Sequence, residues 1–283
     1  MLLRVKKNCN QKCVFCSFDS KKENARYSFS ALAQSLPEGK ELIQISGGEP
    51  LLCDPVELLK LCVFLCKKGK TIEFQTNAVL LPQLSENYVK KLADIINLSK
   101  GYFNINFSSA DADTDYKITR TKNAFDFRLK AVKKIKKLKV PLRLTFVVNS
   151  LNFTSLEKFA RLALSLKPDL VQFSFVKGQG SAFGKKRLIP PYEKVSPYII
   201  KAMEILSGKG INFEADHIPS CHLGKFWRKN VDTQKALSKI KGPHMSEKKH
   251  VGECLNCEIR NLCFGPRKDY LKIRKFKKGK ILK

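Results

Sequence analysis

The chain has 283 residues, 43% of them hydrophobic, which suits a large packed core and is too apolar for an intrinsically disordered protein. No apolar run reaches the length of a membrane span, and Met1-Leu2-Leu3-Arg4-Val5-Lys6-Lys7 is too short and too charged for a secretory signal. A cytoplasmic protein with no membrane partner is therefore expected. Its net charge of +29, from 54 Lys and Arg against 25 Asp and Glu, favours polyanionic partners such as acidic peptides or RNA, set against the plainer reading of lysine-rich solvated faces.

Leu2 to Val5 reads as a short strand that runs into Cys9-Asn10-Gln11-Lys12-Cys13-Val14-Phe15-Cys16, three cysteines spaced C-x3-C-x2-C. Ser28 to Leu36 reads as a helix stopped by Pro37, and Glu41 to Ile45 as a second strand leading straight into Ser46-Gly47-Gly48-Glu49-Pro50. A helix over Val56 to Lys68 follows, then a strand from Thr71 to Gln75 entering Thr76-Asn77, a helix over Leu84 to Leu98, and a strand from Tyr102 to Phe107 followed by Ser108-Ser109. Asp111 to Asp115 reads as a solvated loop entering a helix. The helix from about Asn123 to Lys139 carries seven basic residues between Arg128 and Lys139, with Phe125, Leu129, Val132, Ile135 and Leu138 as its expected buried stripe.

Leu142 to Val148 is a fifth strand, ending at Asn149, and Thr154 is the expected cap of a helix reaching Leu166. Leu170 to Val176 is a sixth strand, closed by Gly178-Gln179-Gly180, and Val195 to Leu206 is a helix. Ile211 to Ala215 is a candidate further strand. Arg228 to His250 shows little apolar periodicity and reads as a surface excursion, and Arg267 to Lys283 as a basic tail.

Strands alternating with amphipathic helices indicate βαβ units and a parallel sheet. The expected fold is α/β, a partial (β/α)6 TIM-type barrel over residues 1–206 with a small Cys-rich C-terminal extension over 207–283; a flat doubly wound sheet is the alternative. In either, the working end lies where the strands end. The cysteine loop, Gly47-Gly48-Glu49, Asn77, Ser108 and Asn149 all follow strands, which argues for one shared site.

The ten cysteines include two clusters, Cys9/Cys13/Cys16 and Cys254/Cys257/Cys263, which in a reducing compartment read as metal ligands before disulfides. Three thiolates from one loop can hold an iron–sulfur cluster with one iron open to another ligand. Structural zinc is a weaker reading because it wants a fourth ligand in the same loop. The cysteine loop after a first strand, with Gly47-Gly48-Glu49-Pro50 after a second, resembles the radical S-adenosylmethionine (SAM) superfamily. The resemblance implies a [4Fe–4S] cluster on Cys9, Cys13 and Cys16, with SAM on the open iron and reductive cleavage of SAM to a 5′-deoxyadenosyl radical that takes hydrogen from substrate. It implies close approach of Gly47 and Gly48 to the methionine moiety, an ammonium contact at Glu49, and adenosine packing at Phe15. Ser108 and Asn149 match positions that bind ribose or carboxylate, with ordinary strand-end capping as the other reading; Asn77 is a weaker match, and Val176 reads as core before adenine contact.

Cys254-x2-Cys257-x5-Cys263 resembles the C-terminal auxiliary-cluster module called SPASM, or its shorter relative, twitch. The full module has seven cysteines; no cysteine follows Cys263 here, so two auxiliary clusters are not supported. With Cys221 the count is four, enough for a second, fully ligated auxiliary [4Fe–4S] cluster, with a four-cysteine zinc ribbon as the alternative and His217 or His222 as substitute ligands. Cys62 and Cys66 read as packing residues, and Cys53 as packing before a thiol hydrogen-atom donor.

The function expected from the resemblance is a radical SAM enzyme that modifies a peptide or protein, the substrate itself acidic, with a flavodoxin- or ferredoxin-type electron donor. Many such enzymes carry a peptide-binding domain before the barrel; with the cluster loop beginning at Cys9 no such domain is expected to fit, so either a partner protein supplies it or the substrate is something else. The alternatives are modification of RNA, a nucleoside or a small metabolite, and a non-catalytic metal-containing RNA-binding protein.

Overall fold

The strands alternate an apolar residue with a polar one. The computed structural model, which describes residues 1–18, 28–36, 38–39, 41–240 and 245–281, shows what that alternation does. Seven strands form one sheet in chain order: β1 (Leu2–Lys6), β2 (Leu42–Gly47), β3 (Thr71–Thr76), β4 (Tyr102–Phe107), β5 (Leu142–Val148), β6 (Leu170–Phe175) and β7 (Phe213–Asp216). The pairs β1–β2, β2–β3, β3–β4 and β6–β7 are parallel, and β1 and β7 are the two edges of an open sheet. The seventh strand extends the six expected βα units past residue 206.

The helices are α1 (Phe29–Ser35), α2 (Pro55–Lys67), α3 (Glu86–Leu98), α4 (Ala112–Thr119), α5 (Ala124–Lys137), α6 (Leu156–Leu166), α7 (Tyr192–Ser207), α8 (Val231–Leu237) and α9 (Lys268–Leu271). Side-chain oxygens of Ser28, Asp54, Ser85 and Asp111 accept first-turn N–H groups of α1 to α4. Pro37, the expected stop of α1, lies outside the described residues. Thr154 does not cap α6: Phe153–Ser155 forms a 3-10 turn whose bond from Ser155 N–H to the Asn152 carbonyl (2.9 Å) leads into the helix without a side-chain cap.

By density of contacts the chain divides into two compact units, one of Met1–Cys13, Phe18–Phe107 and Asp111–Leu144, the other of Val14–Ser17, Ser108–Ala110 and Thr145–Lys283. In the first, Ile43, Ile45, Ile72, Phe74, Phe103 and Ile105 are fully buried, and α2, α3 and α5 cover β3 and β4. The other face of the same strands is polar. Glu73 is its centre: it accepts from Gln44 (2.8 Å), Gln75 (2.9 Å), Tyr102 (2.9 Å) and Asn104 (2.7 Å) and pairs with Arg143. The second unit continues the theme, with Thr145 donating to Gln172 (3.2 Å) and Gln172 to Glu214 (2.7 Å). A doubly wound sheet buries both faces under helices and needs apolar residues on both; this sheet does not have them.

Four sequence expectations are corrected by tertiary packing. The buried stripe of α5 is Ala124, Arg128, Ala131, Val132 and Ile135, rotated from the expected one because Arg128 has an internal partner, Asp115. Asp111 to Asp115 is not a solvated loop: Asp111 caps α4 and Asp115 is buried. Arg228 to His250 holds α8, where buried Asn230 caps the helix and buried Lys248 pairs with Asp232; residues 241–244 lie outside the described residues. The expected basic tail begins with a fully buried Arg267, held by Glu247 (2.5 Å) and Asp269 (2.8 Å), and Tyr270 and Phe276 are buried beyond it.

Burial acts to raise the pKa of Glu73, but Arg143 and the hydrogen bonds from Gln44, Gln75 and Asn104 outweigh it and hold the carboxyl below its ordinary value of 4.5. A depressed carboxylate contributes stability in full above the unfolded value and loses it as pH falls through the folded one. Arg143→Met leaves a buried, unpaired carboxylate and is expected to lower stability at neutral pH by about 3–5 kcal/mol. Urea denaturation at about pH 7 and about pH 3 checks both statements, because the gap between wild type and variant should shrink in acid.

Candidate functional site

In the first unit the loops after β1, β2 and β3 meet. Gly47 has φ +126°, and a Cβ on it would lie 2.5 Å from the Lys6 carbonyl oxygen; on Gly48 it would lie 2.1 Å from that of Asn8. The contact is made by hydrogen bonds: Gly48 N–H donates to Lys6 (2.6 Å) and Glu49 N–H to Asn8 (2.9 Å). The glycine pair thus lets the second loop lie directly on the entry to the cysteine loop.

Glu49 fastens the third loop. Its buried carboxylate accepts from Leu51 N–H (3.1 Å), Thr76 Oγ1 (2.6 Å) and Asn77 N–H (2.8 Å). Burial pushes its pKa up, against the pull of those bonds and of the Arg128 charge. Asn77 turns back to the cysteines, its Nδ2 lying 2.7 Å from Asn10 Oδ1 and 3.6 Å from Cys9 Sγ. Gln11, buried in the cysteine loop, donates its backbone N–H to Cys9 Sγ (3.4 Å) and places Oε1 3.6 Å from Cys13 Sγ. Cys53 donates its thiol to the Val5 carbonyl (3.6 Å), and burial raises its pKa. Cys62 is fully buried on α2.

The remaining residues belong to the second unit. Cys16, three residues along the loop from Cys13, accepts at its carbonyl from Ser181 N–H (2.8 Å); Gly180, with φ +54°, would place a Cβ 2.3 Å from that oxygen. Phe15 is half-buried. Ser108 is buried and accepts at its carbonyl from Asn152 Nδ2 (2.8 Å). Asn149, also buried, bonds within its own loop: Nδ2 donates to the Val147 carbonyl (3.0 Å) and Oδ1 accepts from Leu151 N–H (2.9 Å). One amide hydrogen and one lone pair remain for a ligand. Val176 is buried, and its N–H bonds to the Val148 carbonyl (2.9 Å).

Also in the second unit, Cys221, Cys254, Cys257 and Cys263 line one pocket. Cys221 stands on a 3-10 turn after β7, and the other three come from the loop before α9. Burial pushes the Cys221 thiol up to about 12 and raises Cys254 as well. Neither expected substitute ligand lines this pocket. His222 bonds through Nε2 to the Lys277 carbonyl (2.9 Å), and His217 Nδ1 lies 3.2 Å from Asp216. The histidine on its wall is His250, which bonds the Cys263 carbonyl (2.6 Å) and whose place no sequence spacing indicated. All ten cysteines are outside disulfides, and among the described residues no three His, Cys, Asp or Glu side chains close on the point a single metal ion would occupy.

A family model described as the radical SAM superfamily matches residues 3–163, more than half of the chain. The chain belongs to the radical SAM superfamily. The fold is also similar to several solved structures. Native anSMEcpe with bound AdoMet and Cp18Cys peptide matches with TM-score 0.67 and 14% identity over 99% of this chain and 91% of that one. SuiB of Streptococcus suis bound to S-adenosylmethionine matches with TM-score 0.65 and 14% identity over 97% and 74%. In the matches to SuiB with its precursor peptide SuiA and to SuiB alone, the chain spans about half of the SuiB chain, 48% and 54%. At these identities the likeness is one of fold.

The residues present fit the groups that the superfamily implies. Gln11 Nε2, beside Cys13, is buried with no hydrogen-bond partner, a donor that sulfur anions in this loop would satisfy. The second pocket brings four thiols together, with His250 and Glu253 also on its wall. Gly48→Ala is expected to push the second loop off Asn8 and lower iron bound at Cys9, Cys13 and Cys16 at least several-fold, while the Cys221 set keeps its metal. Iron and sulfide analysis after anaerobic reconstitution checks this.

Proposed function

We propose that this protein uses SAM and a [4Fe–4S] cluster to abstract hydrogen from a peptide or protein side chain, with a second metal centre on Cys221, Cys254, Cys257 and Cys263 in an auxiliary module spanning 207–283. The reading is supported most by the extent of the fold likeness. It runs through 97–99% of the chain, past the family match and over the C-terminal cysteines, in two enzymes whose solved structures include bound precursor or substrate peptides.

When bound, the cluster and SAM supply one-electron cleavage of the sulfonium to a 5′-deoxyadenosyl radical. Cys9, Cys13 and Cys16 are the residues that would hold the cluster, leaving one iron without a protein ligand. Gly47 and Gly48 bring the backbone of the second loop onto the entry to the cysteine loop that would hold the cluster, and Glu49 locks the second loop to the end of β3. Phe15, Ser108 and Asn149 are the chain's own candidates for SAM contacts. At the second centre, four thiolates would complete an iron–sulfur cluster, which suits transfer of an electron better than direct binding of substrate. The electron enters from an external carrier of flavodoxin or ferredoxin type. The cationic surface suits an acidic substrate peptide.

Reconstituted protein given dithionite and SAM is expected to form 5′-deoxyadenosine; iron-loaded protein that forms none above background would sink the proposal. Iron near about eight per chain supports two [4Fe–4S] clusters, whereas about four iron with one zinc would make the second centre a zinc ribbon. The Cys254→Ala/Cys257→Ala variant should lose only the second centre's metal. The same +29 charge also suits RNA. RNA binding with a steep salt dependence, and no affinity for acidic peptides, would move the substrate class to nucleic acid.

A further inference from the structure

Arg128 is fully buried on α5, at a helix position where the periodicity calls for an apolar side chain. Each of its guanidinium nitrogens has a neighbour. Nη1 pairs with Asp115 at 2.5 Å, Nε donates to the Asn77 carbonyl at 3.2 Å, and Nη2 faces Gln11 Oε1 at 3.5 Å. Those two neighbours are the residues that touch the cysteine sulfurs. Asn77 Nδ2 lies 3.6 Å from Cys9 Sγ, and Gln11 donates its backbone N–H to Cys9 Sγ at 3.4 Å, while its Oε1 accepts from the Cys13 thiol at 3.6 Å. Lys12 N–H, from the same loop, donates to the carbonyl of Thr119 (3.1 Å), at the end of the helix that carries Asp115. The whole relay from ion pair to sulfur lies within the first unit.

Stability alone does not account for this arrangement. A buried ion pair loses so much solvation that a well-packed apolar pair of the same volume often serves as well or better. Here the cation stands one residue behind two of the three thiols. A cluster that accepts one electron gains negative charge, and its potential rises with hydrogen bonds to its sulfurs and with nearby positive charge. Gln11 Nε2 is buried with no partner.

We propose that Arg128, paired with Asp115, is a positioning residue for the cluster on Cys9, Cys13 and Cys16: it holds Asn77 and Gln11 against the sulfurs and favours the reduced cluster. The inference rests on the reading of this loop as the cluster site. The reaction it affects is the gain of one electron from an external low-potential reductant, without a proton.

The test is a redox titration followed by electron paramagnetic resonance, in full-length reconstituted protein carrying Cys254→Ala/Cys257→Ala so that one cluster reports. Arg128→Met/Asp115→Leu removes both charges together and leaves neither buried alone. It is expected to keep its iron and its thermal midpoint, while the ratio of reduced to oxidised cluster at a fixed potential falls about tenfold, equivalent to about 59 mV for a one-electron couple. Asn77→Ala, which leaves the ion pair intact and removes the side-chain donor to Cys9, should shift the ratio in the same direction by less. A folded, iron-loaded double variant with an unchanged midpoint potential overturns the proposal. If the double variant does not fold, an unchanged potential in iron-loaded Asn77→Ala overturns it. Parent protein that binds no iron at Cys9, Cys13 and Cys16 is a different result, because it removes the cluster reading itself.

Discussion

Backbone lies on backbone where the second loop meets the first. Nothing larger than hydrogen fits between Gly48 and Asn8, or between Gly47 and Lys6. That contact sets the height of the cysteine loop relative to the end of β2. The carboxylate of Glu49 then carries the registration on to β3 through Thr76 and Asn77, and Asn77 returns to Cys9. The first unit's share of the site is thus a closed circuit of short-range contacts among three consecutive strand ends. Parallel strands in sequential order are what allow it, since only they put three such loops side by side.

The polar side of the sheet follows from the same architecture. Helices cover one face, so residues at alternate positions face away from them and are free to be polar. Glu73 gathers donors from β2, β3, β4 and β5, which makes a charge at this depth tolerable. Arg128 and Asp115 solve the same problem behind the cysteine loop. In both places a charge that looks misplaced in one element is satisfied by another element distant in sequence.

The C-terminal region uses its charges differently. Arg267, Lys248, Asp232, Glu247 and Asp269 form buried or half-buried pairs that fasten the loops around α8 and α9. Asp269 also accepts from Gly178 N–H at 2.5 Å, which ties α9 to the chain just after β6. Tyr192 of α7 stacks on Tyr270 of α9 with ring centroids 3.9 Å apart. These contacts give the four-thiol pocket a rigid surround, although the segment has little regular secondary structure.

The amino-acid sequence by itself determined the α/β class, the strands, the longer helices and both sets of cysteines, because period and ligand spacing are local properties. Cys221 could be added to the second set by counting alone, and the shared pocket joins it to the other three. What only the tertiary structure decided are the facts that depend on residues far apart. A basic residue on an amphipathic helix reads as solvated until its partner is known, which hid Arg128 from the periodicity of α5 and Asp115 from the acidic run at 111–115. Gln11 and His250 carried no spacing signal, since their roles come from the backbone positions of loops. The polar second face, which rules out a doubly wound sheet, was present in the alternation of β2 to β4. Its meaning required the helices to be placed on one side, because alternation reports that two faces differ but not what covers each.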